Sequence, residues 1–175
     1  SYCAVCDGAF FKGKTVAVAG GGDAALQDAI FLSERCRHVY LIHRRETLRG
    51  EAHLESILRA RDNVEFVLNS VIEKLEGEQK LPGILVKNKL TVEHTQIALD
   101  GLFIAVGQEP QNAPFAGLIT LDNAGYADAG EDCSTATPGI FVAGDCRKKA
   151  VRQLTTAVGD GAVAGLAAVN YINAL

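Results

Sequence analysis

The sequence lacks several features that would place it in a specialised class of protein. No segment reaches the ~18 consecutive apolar residues that a membrane span requires, and no basic stretch followed by an apolar one opens the chain as a secretion signal. We therefore expect a soluble, cytoplasmic protein whose thiols stay reduced unless they are catalytic. The cysteines number five, and an odd number argues against a scaffold built on disulfides.

Methionine is absent, and the chain opens directly on Ser1 with a pair of cysteines close behind. A domain seldom has its reactive residues at its very start, so we expect the chain to be a fragment, although removal of an initiator methionine would leave the same first residue. An excess of basic charge is absent too, since 17 Lys and Arg against 21 Asp and Glu give a net charge of −4. This balance argues against binding to nucleic acid or to a membrane surface through a basic field.

The composition is that of a folded globular protein. Apolar residues make up 48% and charged residues 22% of the 175 positions, which excludes intrinsic disorder. At roughly 150 residues per domain, the length predicts one domain, or one domain and part of another.

The first half of the chain alternates between strand and helix patterns. A β-branched apolar run at 14–19, followed by three glycines, predicts a buried parallel strand that enters a tight turn. Apolar residues then recur at helical spacing as far as Ser33, and a second apolar run at 38–42 completes a βαβ unit. An amphipathic helix at 51–61 and a third strand at 64–68 follow.

Beyond the third strand the hydrophobic period changes to two. This period predicts a β-meander formed by residues 83–90, 95–99 and 101–106. Turn residues cluster around position 110, where we place a boundary between a first domain, 1–110, and a second segment, 111–175. The second segment has one predicted strand at 139–143 and one long helix at about 153–173, which is half a domain at best.

The glycine turn after the first predicted strand has the pattern Gly20-x-Gly22-x-x-Ala25. Between a strand and a helix, this pattern is typical of a dinucleotide-binding site. Gly20 permits the sharp turn, Gly22 lets the backbone approach a pyrophosphate, and Ala25 allows close packing of helix on strand. Free N–H groups at the helix N-terminus then bind the anion. The alternative is a glycine turn in an ordinary βαβ unit.

The second predicted strand ends in His43-Arg44-Arg45, with Arg49 one turn further on. In an NAD-binding domain this strand commonly ends in an acidic residue that accepts a hydrogen bond from the ribose 2′-hydroxyl. A carboxylate would repel a 2′-phosphate, whereas guanidinium groups bind it through bidentate, charge-assisted contacts. The sequence therefore predicts NADPH as the nucleotide. The alternative is a solvated basic turn that faces neighbouring glutamates.

Cys3 and Cys6 form a Cys-x-x-Cys pair followed by an acid, Asp7. This spacing can close a disulfide across one turn or present two thiolates to a metal. A structural zinc site needs four ligands, and the remaining cysteines and histidines are scattered, so we favour a redox pair over half a zinc site or an accidental pair. Asp7 is then a candidate proton donor or acceptor for a thiol, the alternative being an exposed turn acid. The lone cysteines are expected to be small buried hydrophobic residues: Cys36, Cys133 and Cys146.

Several segments, in their order and spacing, resemble the low-molecular-weight thioredoxin reductases across the whole chain. These segments are residues 1–8 (SYCAVCDG), 16–25 (VAVAGGGDAA), 41–45 (LIHRR) with Arg49, 103–112 (FIAVGQEPQN), 139–145 (GIFVAGD) and 152–157 (RQLTTA). Each alone is shared with other flavoproteins that bind two dinucleotides. A cysteine pair immediately before the NADPH fingerprint is specific to this group and its hydroperoxide-reductase relatives.

The resemblance implies an α/β, Rossmann-like fold. An NADPH-binding domain, residues 1–110, would carry the redox pair and the β-meander, and residues 111–175 would be the C-terminal part of an FAD-binding domain. The family's N-terminal half of the FAD domain, with its own glycine fingerprint, has no counterpart in the sequence. A smaller departure is Leu154, where the family often has alanine.

The resemblance also implies roles for individual residues. Cys6 would face the flavin, Cys3 would exchange with the disulfide of a protein partner, and Asp7 would handle the proton. NADPH would be held by Gly20, Gly21, Gly22, Asp23, Ala24, His43, Arg44, Arg45 and Arg49. Asp145, at the end of a strand, would bind the ribityl chain of FAD, with an ordinary strand-end turn as the alternative. Arg152, Gln153 and Leu154, at the start of the last helix, would contact the isoalloxazine side of FAD, and Gly107 and Gly144 are further cofactor-binding residues.

The implied function is that of a thioredoxin-disulfide reductase. Electrons would pass from NADPH through FAD to the cysteine pair and on to thioredoxin or a similar small disulfide protein, in a protein that is a homodimer when complete. We expect the chain on its own to be inactive. The alternatives are an NADPH-binding module without flavin turnover and a related flavoprotein reductase that serves a peroxiredoxin-type partner.

Overall fold

A parallel β-sheet forms the centre of the first part of the chain. The computed structural model describes all 175 residues, and these divide into two compact units, Ser1–Gly107 and Gln108–Leu175. The strands, all in the first unit, are β1 (Thr15–Gly20), β2 (His38–Ile42), β3 (Val64–Val67), β4 (Ser70–Leu75), β5 (Gly83–Asn88), β6 (His94–Ala98) and β7 (Gly101–Ala105). The α-helices are α1 (Ala4–Asp7), α2 (Asp23–Ser33) and α3 (Ala52–Arg59) in the first unit and α4 (Leu154–Asn173) in the second. Short 3₁₀ helices lie at Gly8–Phe11 and Ala113–Phe115.

The parallel sheet has the strand order β3-β2-β1-β7. Its strand β1 is almost wholly buried because its small and β-branched residues suit a strand that is covered on both faces. Val16 and Val18 pack with the core of α2 and α3, whereas Ala17, on the other face, packs with the second sheet. The predicted α/β class, the βαβ unit, the amphipathic helix and the third strand are confirmed.

The second sheet is antiparallel, with the order β4-β5-β6, and its buried side includes Ile84, Val86 and Ile97. The predicted meander is right for β5 and β6 but wrong for its third member. The segment predicted at 101–106 forms β7, which leaves the meander and pairs in parallel with β1. The third strand of the meander is β4 instead.

The strand β4 is not predicted from the sequence because its alternation of apolar and polar residues is interrupted. The register with β5 shifts between Ile72 and Lys74, as in a β-bulge. A bulge places two residues opposite one and so breaks the alternation by which a strand is recognised.

The second unit has little regular structure apart from α4. Isolated bridges join Leu121 to Ala127, Ala127 to Arg147 and Ser134 to Phe141. The strand predicted at 139–143 is wrong, since a strand needs a neighbouring strand to pair with and residues 108–175 contain none.

The helix predicted at about 153–173 is confirmed as α4. It begins with a capping box in which Gln153 and Thr156 exchange hydrogen bonds between side chain and backbone. No helix combines the length and the apolar character that crossing a membrane would require.

Candidate functional site

An open cleft of about 530 Å³ lies where the strands of the parallel sheet end. Its apolar lining includes Ile42, Ile72 and Ile104, and its cationic lining consists of Arg44 and Arg49. The glycine turn after β1 lines it as well. A largely apolar cleft with a few convergent polar groups, outside the carboxyl ends of parallel strands, is the usual place for a cofactor in an α/β protein.

The glycine turn is shaped by close approaches that leave no room for side chains. A Cβ atom at Gly20 would collide with the backbone of β7 and with the side chain of Ala25. At Gly21 the added atom would collide with the ring of His43. Gly22, in contrast, has open space around it and is the N-cap of α2. An anion therefore has free access to the unpaired N–H groups of the first turn of α2.

The segment after β2 folds back onto this turn. The carbonyl oxygen of Gly21 accepts hydrogen bonds from the N–H groups of Arg49, at 2.6 Å, and Gly50, at 3.1 Å. The carboxylate of Asp23, in the first turn of α2, accepts a further bond from the N–H of Glu51 at 2.7 Å. These three bonds place Arg49 beside the glycine turn.

His43 lies under the turn, with only 5% of its surface exposed. Burial lowers the pKa of its ring, and repulsion from Arg49 and from the two arginines next to His43 in sequence lowers it further, against the opposing effect of a backbone hydrogen bond with Thr47. The ring is therefore neutral near physiological pH. Its Nε2 atom is buried and has no hydrogen-bond partner within the protein.

The arginines of this segment are exposed and form no ion pair or hydrogen bond through their side chains. The nearby Glu51 pairs with His53 at 3.1 Å instead. Arg44 and Arg49 both line the cleft, whereas Arg45 lies outside its lining. The structure thus brings two unpaired guanidinium groups to one end of the cleft.

Cys3 and Cys6 form a disulfide at the two ends of the single turn α1. The N–H of Cys6 also donates to Sγ of Cys3 at 3.1 Å. Ala4 is buried in the core that includes α2, and a Cβ at Gly8 would lie 2.9 Å from the ring of Phe31. This close packing of α1 on α2 holds the disulfide at the surface, where Cys6 is exposed and Cys3 is half-buried.

Asp7 is held in the same turn. Its carboxylate accepts a hydrogen bond from the hydroxyl of Ser1 at 2.6 Å, and its N–H donates to the carbonyl of Cys3 at 3.1 Å. The Ser1 oxygen in turn accepts from the N–H of Cys3 at 3.0 Å. These bonds hold the carboxylate of Asp7 in the segment that bears the disulfide.

The disulfide is not among the residues that line the cleft. The glycine turn and the redox pair belong to one unit but occupy separate places on it.

The remaining cysteines are thiols. Burial raises the pKa of Cys36 and Cys133, whereas Cys146 is half-buried with its Sγ 3.4 Å from the carbonyl of Ala143. No cluster of three or more His, Cys, Asp or Glu side chains is arranged to hold a metal ion.

The second unit carries the other predicted site residues except Gly107, on a turn and at the start of α4. Gly144 has a φ of 86°, and the side chain of Asp145 is 57% exposed. Nε of Arg152 donates to the carbonyl of Asp145 at 3.3 Å, and its guanidinium lies over the ring of Tyr126 at 3.8 Å. Asp145 follows an irregular segment, contrary to the prediction that it ends a strand, because the strand at 139–143 does not form.

Three further predicted residues lie at the ends of elements. Gln153 caps α4, and Leu154, its first residue, is 81% exposed. Gly107 is the last residue of the first unit and has a φ of 113°, a conformation that favours glycine.

Sequence reasoning missed a buried ionic cluster in the second unit, formed by Arg147, Lys149 and Asp160. Asp160 accepts two hydrogen bonds from Arg147, at 2.9 and 3.2 Å, and one from Lys149 at 2.8 Å. Hydrogen bonds from these two cations hold the pKa of Asp160 well below its usual range. One signal could have found the cluster, because Asp160 is the sole charged residue in α4.

The chain is similar to a known protein family and to several known proteins. The family described as pyridine nucleotide-disulphide oxidoreductase matches residues 1–161. A thioredoxin reductase of Mycoplasma genitalium is 44% identical over 167 residues, which is 95% of this chain and 53% of that protein. A thioredoxin reductase of Bacillus subtilis is 37% identical over 176 aligned positions, which is 100% of this chain and 56% of that protein.

Solved structures agree with the sequence relatives. The crystal structure of thioredoxin reductase from Streptococcus pyogenes superimposes with a TM-score of 0.92 at 40% identity, covering 100% of this chain and 57% of that one. The thioredoxin reductase from Giardia duodenalis has a TM-score of 0.84 at 32% identity and is covered over 57% of its length. The chain therefore spans about half the length of the curated relatives it matches.

Proposed function

Because the chain belongs to the pyridine nucleotide-disulphide oxidoreductase family, we propose that it carries the NADPH-binding and disulfide-bearing part of a thioredoxin reductase. Residues 111–175 would contribute one edge of the FAD site. One observation carries the proposal: a glycine turn beside unpaired arginines and a surface disulfide occur together in one unit.

The cleft fits NADPH by the chemistry of its donors. The pyrophosphate would lie on Gly20–Gly22 and on the N–H groups of Asp23 and Ala24 at the start of α2. The guanidinium groups of Arg44 and Arg49 lack carboxylate partners, so they are available for a 2′-phosphate, with Arg45 and His43 close behind them. The apolar lining would receive the remainder of the nucleotide.

In this family NADPH supplies a hydride and FAD converts it into an electron pair that reduces a disulfide. Opening the Cys3–Cys6 disulfide takes up two electrons and two protons and leaves two thiols. We assign Asp7 to carry one of these protons, since its carboxylate is held in the turn that bears Cys3.

The dithiol would then reduce a partner by thiol–disulfide exchange. The thiolate of Cys3 attacks one sulfur of the partner disulfide, forms a mixed disulfide and releases the other sulfur as a thiolate. Cys6 next attacks the sulfur of Cys3, which restores the Cys3–Cys6 disulfide and frees the partner as a dithiol. The partner class is thioredoxin or a similar small disulfide protein.

The second unit offers one edge of a flavin site. The exposed carboxylate of Asp145 is an acceptor suited to the hydroxyls of a ribityl chain, and the first turn of α4, which begins at Leu154, has backbone N–H groups nearby in sequence. We assign Gly144, Arg152 and Gln153 to the same FAD contact and keep Gly107, in the first unit, as a cofactor-binding residue. The donor set fits part of a flavin, and a second glycine turn for the FAD pyrophosphate does not occur among the 175 residues.

We also propose a homodimer and a cytoplasmic location for the complete enzyme. A reducing compartment keeps the thiols of Cys36, Cys133 and Cys146 from pairing.

A second candidate, an NADPH-binding module without turnover, is favoured by one observation: the disulfide does not line the cleft. A reductase that serves a peroxiredoxin-type partner would use the same residues and differ only in the protein it reduces.

Calorimetric titration with NADPH and with NADH tests the nucleotide assignment. We expect NADPH to bind at least about tenfold more tightly, since each charge-assisted contact contributes about 1.5–3 kcal/mol before screening. Equal affinities for the two nucleotides would contradict the proposal.

A further inference from the structure

The carboxylate of Asp160 holds the turn that presents Asp145. Besides the bonds from the side chains of Arg147 and Lys149, its Oδ2 atom accepts a hydrogen bond from the backbone N–H of Gly144 at 3.0 Å. The N–H of Arg147 closes the turn by donating to the carbonyl of Gly144 at 3.2 Å. The backbone next to Asp145 is thus fixed from α4, while the side chain of Asp145 itself stays exposed.

Arg147 anchors this arrangement to a second loop. Its side chain is only 4% exposed, and its Nη1 donates to the carbonyls of Ala129, at 3.3 Å, and Gly130, at 3.0 Å. The pairing of Arg147 with Asp160 is bidentate, which restricts both side chains to one geometry. Buried ion pairs contribute little net stability, so fixing the geometry of the turn explains this cluster better than stabilising the fold does.

Lys149 lies between two carboxylates. Its Nζ is 2.8 Å from Asp160 but 4.0 Å from Asp145, and its side chain is 7% exposed. Asp160 therefore takes the close ion pair and leaves the Asp145 carboxylate free to accept hydrogen bonds from another molecule. Without the charge of Asp160, the lysine would have Asp145 as its nearest carboxylate.

We propose that Asp160 is a positioning residue for the flavin contact at Asp145, because it binds the N–H of Gly144 and keeps Lys149 out of a close pair with Asp145. This inference rests on the proposed function of the second unit. It assigns Asp160 no contact with the flavin itself.

The test uses the flavoprotein purified with its FAD and compares matched variants. Asp160→Asn keeps the shape of the side chain but removes its charge, so we expect FAD to dissociate about tenfold more readily and the flavin absorption bands to shift. Asp128→Asn is the matched control, since Asp128 forms an exposed pair with Lys148 at 3.5 Å in the same unit. This control should retain FAD and leave its spectrum unchanged.

Replacement of the lysine separates positioning from general stability. Lys149→Met in the Asp160→Asn background should restore part of the FAD affinity, because no lysine remains to pair with Asp145. Denaturant unfolding of the same variants separates the two effects, because removal of an unpaired buried lysine can also restore stability. Recovery of FAD affinity without a matching rise in the free energy of unfolding supports positioning, and recovery of both in parallel overturns it. Should Asp160→Asn fail to fold, Lys149→Met alone decides: FAD binding that is unchanged or tighter supports the inference, and weaker binding overturns it.

Amide hydrogen exchange gives a readout that needs no flavin. In this chain the N–H of Gly144 should be protected, and Asp160→Ala, which leaves no acceptor, should remove that protection. Unchanged protection in Asp160→Ala, or FAD held by Asp160→Asn as tightly as by the unmutated protein, would overturn the inference while leaving the proposed function intact. A complete, unmutated flavoprotein that binds no FAD would overturn the proposed function and this inference together.

Discussion

Arg49 owes its place in the cleft to a backbone contact, whereas Arg44 follows closely after the end of β2. Arg49 follows β2 at some distance, but its N–H bonds to the carbonyl of Gly21, and this bond brings its side chain to the glycine turn. Because neither guanidinium has a carboxylate partner within the protein, neither has to break an ion pair before it binds a phosphate.

The single variants Arg44→Ala and Arg49→Ala should each prefer NADPH over NADH less strongly than the unmutated protein does. Each variant should lose about tenfold in NADPH affinity and little in NADH affinity, since the lost contact is to the 2′-phosphate. Arg59→Ala is the control, because Arg59 pairs with Glu55 on α3 and is not part of the cleft lining. Calorimetry on the three variants measures these changes, and an equal loss for both nucleotides would refute the assignment.

His43 should make stability depend on pH in a defined window. Its folded-state pKa lies below its usual value of 6.5, so the unfolded chain takes up a proton more readily than the folded one. The free energy of unfolding should therefore fall as the pH drops below about 6.5 and be independent of this group at higher pH. Denaturant titrations on either side of that value measure the slope.

The matched variants are His43→Gln, which should flatten this slope, and His94→Gln, which should not. His94 is exposed on β6 and contacts Glu73 at 2.7 Å, so it controls for the loss of an imidazole. A slope that survives His43→Gln would show that another group causes it.

Among the elements, the turn between β1 and α2 has glycine at two neighbouring positions for different reasons. A side chain at Gly21 would collide with His43, whereas Gly22 has open space and a φ of −99° that any residue adopts. Gly21 is therefore needed by the fold, whereas under the proposed function Gly22 leaves room for the pyrophosphate to approach α2.

The variants Gly21→Ala and Gly22→Ala should therefore fail in different ways. Gly21→Ala should lower the free energy of unfolding by roughly 1–3 kcal/mol through overpacking. Gly22→Ala should unfold almost as the unmutated protein does but bind NADPH more weakly, because its methyl group occupies the approach to the pyrophosphate. Thermal unfolding and calorimetry distinguish the two, and full NADPH affinity in Gly22→Ala would place the pyrophosphate elsewhere.

The elements that the sequence predicted well are those whose signal is local. The burial of Val16 and Val18 and the amphipathic pattern of α3 are properties of consecutive residues, and both elements form where expected. The strand β7 has a local pattern too, but its choice of β1 as a partner depends on residues far away in sequence. A period of two identifies a strand and says nothing of its neighbour.

The candidate site shows the same division. The glycine turn, the basic segment and the cysteine pair are short motifs, so the sequence revealed them before the structure did. The bond from Arg49 to Gly21 and the pairing of Asp160 with Arg147 join separate segments, so the sequence of each segment does not show which residue lies opposite it. The error at 139–143 has a related cause, because the segment has strand composition but no strand to pair with.

In the whole molecule, the cleft and the disulfide are distinct features of the first unit, since neither Cys3 nor Cys6 lines the cleft. Under the proposed function NADPH is bound in the cleft, and a glycine turn between a strand and a helix, as a dinucleotide requires, occurs once in the chain, after β1. A nicotinamide delivers a hydride whereas a disulfide takes up an electron pair, so we expect the Cys3–Cys6 pair to receive no electrons from NADPH when this chain is studied without a bound flavin.

The oxidation of NADPH by this chain in the presence of thioredoxin, with and without added FAD, tests this account most directly. We predict that NADPH is bound but not consumed above the rate that free flavin alone supports. After chemical reduction of Cys3 and Cys6, however, the chain should pass its electrons to thioredoxin, and Cys6→Ser should trap a mixed disulfide through Cys3. Turnover of NADPH above the free-flavin background, or a reduced chain that leaves the thioredoxin disulfide intact, would contradict the account.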